Sequence, residues 1–185
     1  MALVDRVKNM ILAPAKEWPV IAGETPSVGT LYTGYIMILA AIGPVAIAIT
    51  FGLLGAGIAT AIVSYVIGLG AVYVLAWIVD FLAPNFGGEK NFIRALQLVA
   101  YSSTAAWLGG IFHIIPLLGS LLALLAGLYS LYLFYLGAPV LRKCASEKAV
   151  VFTILYVVCA IVVMAILGTV LFTIAGVGLS PMGMR

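Results

Sequence analysis

Long apolar runs separated by short charged intervals set the pattern of this chain. Between Leu31 and Val79 there are 49 residues without a charged side chain, which as one helix would extend about 73 Å at 1.5 Å per residue. The hydrocarbon core of a bilayer is about 30 Å thick, so this run crosses twice. The break is expected at Gly55-Ala56-Gly57, giving crossings of about 31–54 and 57–79. From Ala95 to Val140 a further 46 residues lack Asp, Glu, Lys and Arg. They divide at His113-Ile114-Ile115-Pro116 into crossings of about 92–112 and 116–137, and a last run gives a crossing at about 149–174. The pattern therefore predicts an all-α integral membrane protein, a bundle of five transmembrane helices.

Local signals refine these elements. Pro44 follows Gly43 in mid-crossing, where its missing N–H removes a helix hydrogen bond and predicts a kink. The third crossing is the least hydrophobic, and Ser102, Ser103 and Thr104 in its middle suit close helix contact more than lipid exposure. Residues 2–12 place Leu3, Val4, Val7, Met10 and Ile11 at helical spacing, with Asp5, Arg6, Lys8 and Asn9 on the other side. Such an N-terminal amphipathic helix either lies at the membrane interface, in the headgroup plane, or packs on the cytoplasmic end of the bundle. Pro14 stops it. The segment that follows, rich in Pro and Gly and carrying Trp18, reads as a surface linker. The organisation expected is thus a cytoplasmic helix and linker at 1–30, a membrane domain at 31–176 and a short extracytoplasmic tail at 177–185.

Composition supports the class: 65% of the 185 residues are hydrophobic and 8% charged, against about a quarter charged in soluble domains. The net charge of +3 arises from nine basic and six acidic residues gathered in few places. Arg6, Lys8 and Lys16, then Lys90 and Arg94, then Arg142, Lys143 and Lys148 make up eight of the nine basic residues, leaving Arg185 alone on the other side. Membrane proteins keep Lys and Arg on the cytoplasmic side, which predicts a cytoplasmic N-terminus and an extracytoplasmic C-terminus in a plasma (inner) membrane. The first apolar run starts behind a charged, Pro-containing segment and does not read as a cleavable signal peptide. No basic stripe for nucleic acid is present. Cys144 in the basic loop and Cys159 in an apolar run do not suit a disulfide, and one His with no Cys pair does not suit zinc.

Catalysis inside a membrane needs ionisable or nucleophilic groups in the protein interior. The crossings contain no Asp, Glu or Lys away from their ends, so no catalytic, cofactor-binding or metal-binding residue is assigned and the chain reads as non-enzymatic. Pro44, Tyr101, Ser102, Ser103 and Thr104 are candidates for helix packing, or for lining a path for a small solute together with Tyr65 and Tyr73. Tyr129, Tyr132 and Tyr135 fall three residues apart beside Arg142 and Lys143, a candidate cytoplasmic face for a protein or lipid partner. Asp80, Glu89, Lys90 and Arg94 form a second cytoplasmic patch or serve as solvated and capping charges. Gly52, Gly55, Gly57 and Ala61 offer one small-residue face for self-association. Membrane lipids, a second copy or other membrane proteins are the expected partners. The function expected is a membrane-organising or interaction scaffold, with a small-solute transporter or channel subunit as the alternative.

Several stretches together resemble the Yip1 domain family, in its short bacterial and archaeal branch. They are Ile11, Pro14, Glu17, Trp18 and Ile21; Phe86-Gly87-Gly88; Tyr101-Ser102-Ser103-Thr104; Pro116 with Gly119; and Tyr129-Ser130-Leu131-Tyr132 running into Tyr135-Leu136-Gly137. The order and spacing of these stretches carry the resemblance over about residues 10–175. It implies a five-helix integral membrane protein. Eukaryotic members are linked to vesicle traffic and Rab-type GTPases through a longer N-terminal tail with an Asp-Leu-Tyr-Gly-Pro motif. This chain has neither tail nor motif, and Ala105 stands where relatives often carry Pro. What the resemblance implies here is fold and membrane location.

Overall fold

The computed structural model describes residues 2–51, 57–115, 118–143 and 146–178. All regular structure among them is helical. Among the described residues four stretches are long and apolar enough to cross a membrane: Val28–Thr50, Ile58–Phe86, Leu118–Arg142 and Ala149–Val170. The expected hairpin residues Gly55 and Ala56, together with Gly52, Pro116, Cys144 and the 179–185 tail, lie outside the described residues.

The chain opens with a helical hairpin. Helix α1 (Leu3–Leu12) ends at Ala13, and Pro14 takes the first position of α2 (Pro14–Gly23). A proline there loses nothing, because the first N–H groups of a helix have no intrahelical acceptor. The segment expected as a linker is therefore mostly helix, with only residues 24–27 irregular. Trp18 and Ile21 on α2 are fully buried, and their burial outweighs the cost of Pro19 inside the helix. Of the two placements open to the first helix, packing on the bundle is the one its contacts display. Arg6, expected on the outward polar face, is turned inward with Met10, while Val4 and Leu12 are exposed.

The first apolar run is built from four pieces. Helix α3 (Val28–Leu31), capped by Ser27, passes into a π-helical turn at Tyr32–Ile36, then α4 (Met37–Ala40) and, after a break at Ala41, α5 (Ile42–Phe51). Pro44 has no N–H to give the Ala40 carbonyl, so the break falls just ahead of it. The wide turn brings the consecutive residues Tyr35 and Ile36 both into the core.

Helix α6 (Gly57–Leu82) leads into a short 3-10 turn, Ala83–Phe86, that closes on Gly87 at φ 79°. Glycine adopts this left-handed conformation without steric cost, and the Gly87 and Gly88 amides bond back to Pro84 and Ala83.

The next segment is central. Helix α7 (Phe92–Ser102), capped by Asn91, breaks at Ser103, continues as α8 (Thr104–Gly109) and tightens to a 3-10 turn at Gly110–Ile114. Every residue from Ala95 to Ser102 is buried. Its low hydrophobicity fits this place, since α2, α6 and α9 stand between much of it and the surroundings. Helix α9 (Leu118–Arg142) packs along α7 and α8, and α10 (Ala149–Gly178) closes the bundle against α6 and α9.

Candidate functional site

The interior break at Ser103 is held from three sides. Ser102 and Ser103 donate to the Val99 carbonyl at 3.1 and 2.7 Å, and Thr104 donates to Tyr101 O at 2.6 Å. Such back-bonding bends helices. Tyr35 Oη lies 2.7 Å from Thr104 Oγ1. Because Thr104 already donates to Tyr101, Tyr35 is the donor. Ser130 of α9 accepts the Ala106 amide at 2.9 Å. The candidates Ser102, Ser103 and Thr104 are thus brought together, with their hydroxyls engaged in fixing the bend.

Close packing continues beyond the break. A Cβ on Gly110 would stand 2.8 Å from Gly43 Cα, and one on Gly109 would stand 2.5 Å from the Ala126 methyl. The Gly43-Pro44 break thus allows α5 to touch the Gly110–Ile114 turn backbone to backbone.

Two ionic networks tie the segments that carry most of the basic residues. In the first, Arg6, only 5% exposed, binds Glu17 Oε1 at 2.5 Å and also Glu24, and its guanidinium lies over the Tyr101 ring at 5.5 Å. Asn9 donates to the other Glu17 oxygen at 3.0 Å. From the bundle, Arg94 donates to the Ile21 and Glu24 carbonyls at 3.3 and 3.0 Å and to Gln97 Oε1 at 3.2 Å. The hairpin is also anchored where Tyr129 donates to the Ile11 carbonyl at 2.7 Å.

In the second network Arg142 bonds Asp80 at 2.8 Å and the Asn91 carbonyl at 2.5 Å. Asp80 accepts the Asn91 amide at 2.7 Å as well. Lys143, at φ 53°, turns the chain out of α9 and pairs with Glu89 at 3.0 Å.

These contacts divide the expected partner face. Arg142 is 1% exposed, a structural tie and not an outward-facing group. Burial of a guanidinium is tolerable here because a carboxylate and a carbonyl engage its two terminal nitrogens. Tyr129 turns toward α1, its ring 5.7 Å from that of Tyr132. Tyr132, Tyr135 and Lys143 are exposed. The pairing of Arg6 with Glu17 and Glu24 was not legible as a site in the sequence; its signal was a basic residue on α1 and two acidic residues on and just after a second helix. Among the described residues no group of His, Cys, Asp and Glu could hold a metal ion.

The Yip1 domain matches residues 8–168 of this chain. The chain belongs to the Yip1 domain family. The match begins inside α1 and runs into α10, so most of the hairpin is part of the family domain. Inner membrane protein YohC of Escherichia coli strain K12 is 24% identical over 166 residues, covering 81% of this chain and 85% of that protein. The same protein from Escherichia coli O6:H1 aligns with equal identity and coverage. No solved structure matches. With four membrane-length apolar helices among the described residues, this Yip1-family chain is a multi-pass membrane protein.

Proposed function

We propose that the protein is a non-enzymatic scaffold of the Yip1 type, organising the membrane by holding protein or lipid partners at one end of a five-crossing bundle. The fifth crossing is the broken central segment Phe92–Ile114, which reaches membrane depth shielded by its neighbours. Non-ideal backbone of this kind is tolerated in a bilayer where protein surrounds it. The N-terminus is cytoplasmic and the C-terminus extracytoplasmic.

One observation carries the reading. The α1–α2 hairpin, the loop before α7 and the end of α9 hold most of the basic residues, and they are bonded to one another through Arg94, Arg142 and Lys143. That end combines fixed geometry with exposed Lys143, Tyr132 and Tyr135, as a docking surface requires. The hydroxyls at the central break, by contrast, are engaged in helix contacts.

Affinity purification of the full chain from native membranes, paired with liposome flux measurement, tests this. Specific co-purification without flux supports the scaffold, whereas protein-dependent flux of a defined solute would replace it with a transporter or channel subunit. An impermeant thiol reagent should reach Cys144 only after the membrane is opened, and labelling of intact cells would reverse the orientation.

A further inference from the structure

A cleft of about 460 Å³ opens between the N-terminal hairpin and the start of the first apolar run, lined by Arg6, Glu24, Thr25, Thr30, Gly34 and Tyr101 among others. We infer that this cleft binds the headgroup of a membrane phospholipid bearing a primary ammonium and a phosphate, that is, an ethanolamine-type lipid. The inference deepens the scaffold reading and rests on it.

The lining has both signs of charge at close quarters. Arg6 is nearly buried and held by Glu17 and Glu24. Glu24 uses Oε1 for that pair, while Oε2 accepts no hydrogen bond among the described residues and the side chain is 38% exposed. An ammonium group has three donors to offer this oxygen. The phosphate of the same headgroup fits the Thr25 and Thr30 hydroxyls, the latter 2.9 Å from Ser27 Oγ, near the positive charge of Arg6, whose terminal nitrogens stay with Glu17 and Glu24. A purely anionic headgroup would meet the Glu24 carboxylate. A choline headgroup has no N–H to give it.

The surroundings favour a lipid over a free solute. The cleft stands where the polar 24–27 segment gives way to the membrane-length Val28–Thr50 stretch. Leu3 forms part of its wall, Val4 next to it is exposed, and Ile38, one turn beyond Gly34, is exposed as well. Acyl chains leaving the cleft therefore meet apolar side chains.

Gly34 provides the decisive variant. A Cβ there would meet nothing within 4 Å, so a side chain at position 34 has room at its base, and Gly34→Leu places its bulk at the wall of the cleft. The experiment is native mass spectrometry of the full chain in detergent with equal amounts of phosphatidylethanolamine, phosphatidylglycerol and phosphatidylcholine. Wild type should retain phosphatidylethanolamine preferentially, and Gly34→Leu should lose that preference with an unchanged melting temperature. Glu24→Gln should weaken retention about tenfold, the worth of one charge-assisted hydrogen bond. Equal retention of the three lipids, or undiminished preference in Gly34→Leu, would overturn the assignment. Binding of soluble phosphoethanolamine as tightly as the lipid would overturn the lipid as its ligand. Protein partners recovered in the same purification report separately on the scaffold, so loss of one result leaves the other readable.

Discussion

The indole of Trp18 occupies the space that a side chain at position 137 would need: a Cβ on Gly137 would stand 2.6 Å from two of its ring atoms and 2.7 Å from Leu98. This contact docks α2 on α9 and α7 at once. Gly137→Ala must push a fully buried ring against its neighbours. Overpacking of this kind costs about 1–3 kcal/mol. The melting temperature in detergent should fall by roughly 2–4 °C per kcal/mol. In a Trp18→Ala background the same change should cost less, and equal cost in both backgrounds would show that the two residues do not touch.

Ser130 stabilises the break in the central segment by accepting the Ala106 amide at 2.9 Å. Ser130→Ala leaves that amide without its acceptor, for a loss of about 1–3 kcal/mol. Ser130→Cys, which keeps a weak acceptor, should lose less. A thermal-denaturation series separates the two, and identical melting of all three proteins would exclude the bond.

Arg142 and Lys143 should differ sharply although they are adjacent. Arg142→Gln removes the buried member of the pair and leaves the half-buried Asp80 with only the Asn91 amide; breaking a fully buried pair costs about 3–5 kcal/mol, the upper bound for this loss. Lys143→Gln removes an exposed pair with Glu89 worth about 0–1 kcal/mol. Stability should therefore collapse only in the first variant. Partner or anionic-lipid retention, measured by co-purification, should fall in the second without loss of fold.

Gly110→Val tests the approach of α5 to the central segment. Its Cβ would meet Gly43 backbone at 2.8 Å, and backbone cannot rotate away as a side chain can. A cysteine pair at positions 42 and 111 in a variant without other cysteines should crosslink more slowly once Gly110 is replaced. Unchanged crosslinking would show that the two segments are not in contact.

What the sequence determined by itself was the class and its broad layout. Hydropathy is a local property, so the apolar runs and the charged intervals could be read directly, as could the kink at Pro44; the Ser-Ser-Thr stretch read as a helix-contact site, and its break at Ser103 came only with the structure. Gly87 was legible as part of a motif, and its positive φ gives the reason. The hairpin was half legible: the periodicity of α1 was plain, but the two prolines concealed α2, because the burial of Trp18 and Ile21 that sustains it depends on α9 and α7.

Only the tertiary structure decided which polar groups would be hidden. Arg142 and Asp80 are 62 positions apart, and Tyr35 and Thr104 are 69 apart. A buried charge is tolerated only if a partner meets it, and a partner so distant in sequence is supplied by folding alone. For the same reason Arg6 read as a lipid-facing cation until Glu17 and Glu24 were placed around it. The small residues Gly137, Gly109 and Gly110 followed this rule in steric form, since the need for a missing side chain is set by whatever packs against it.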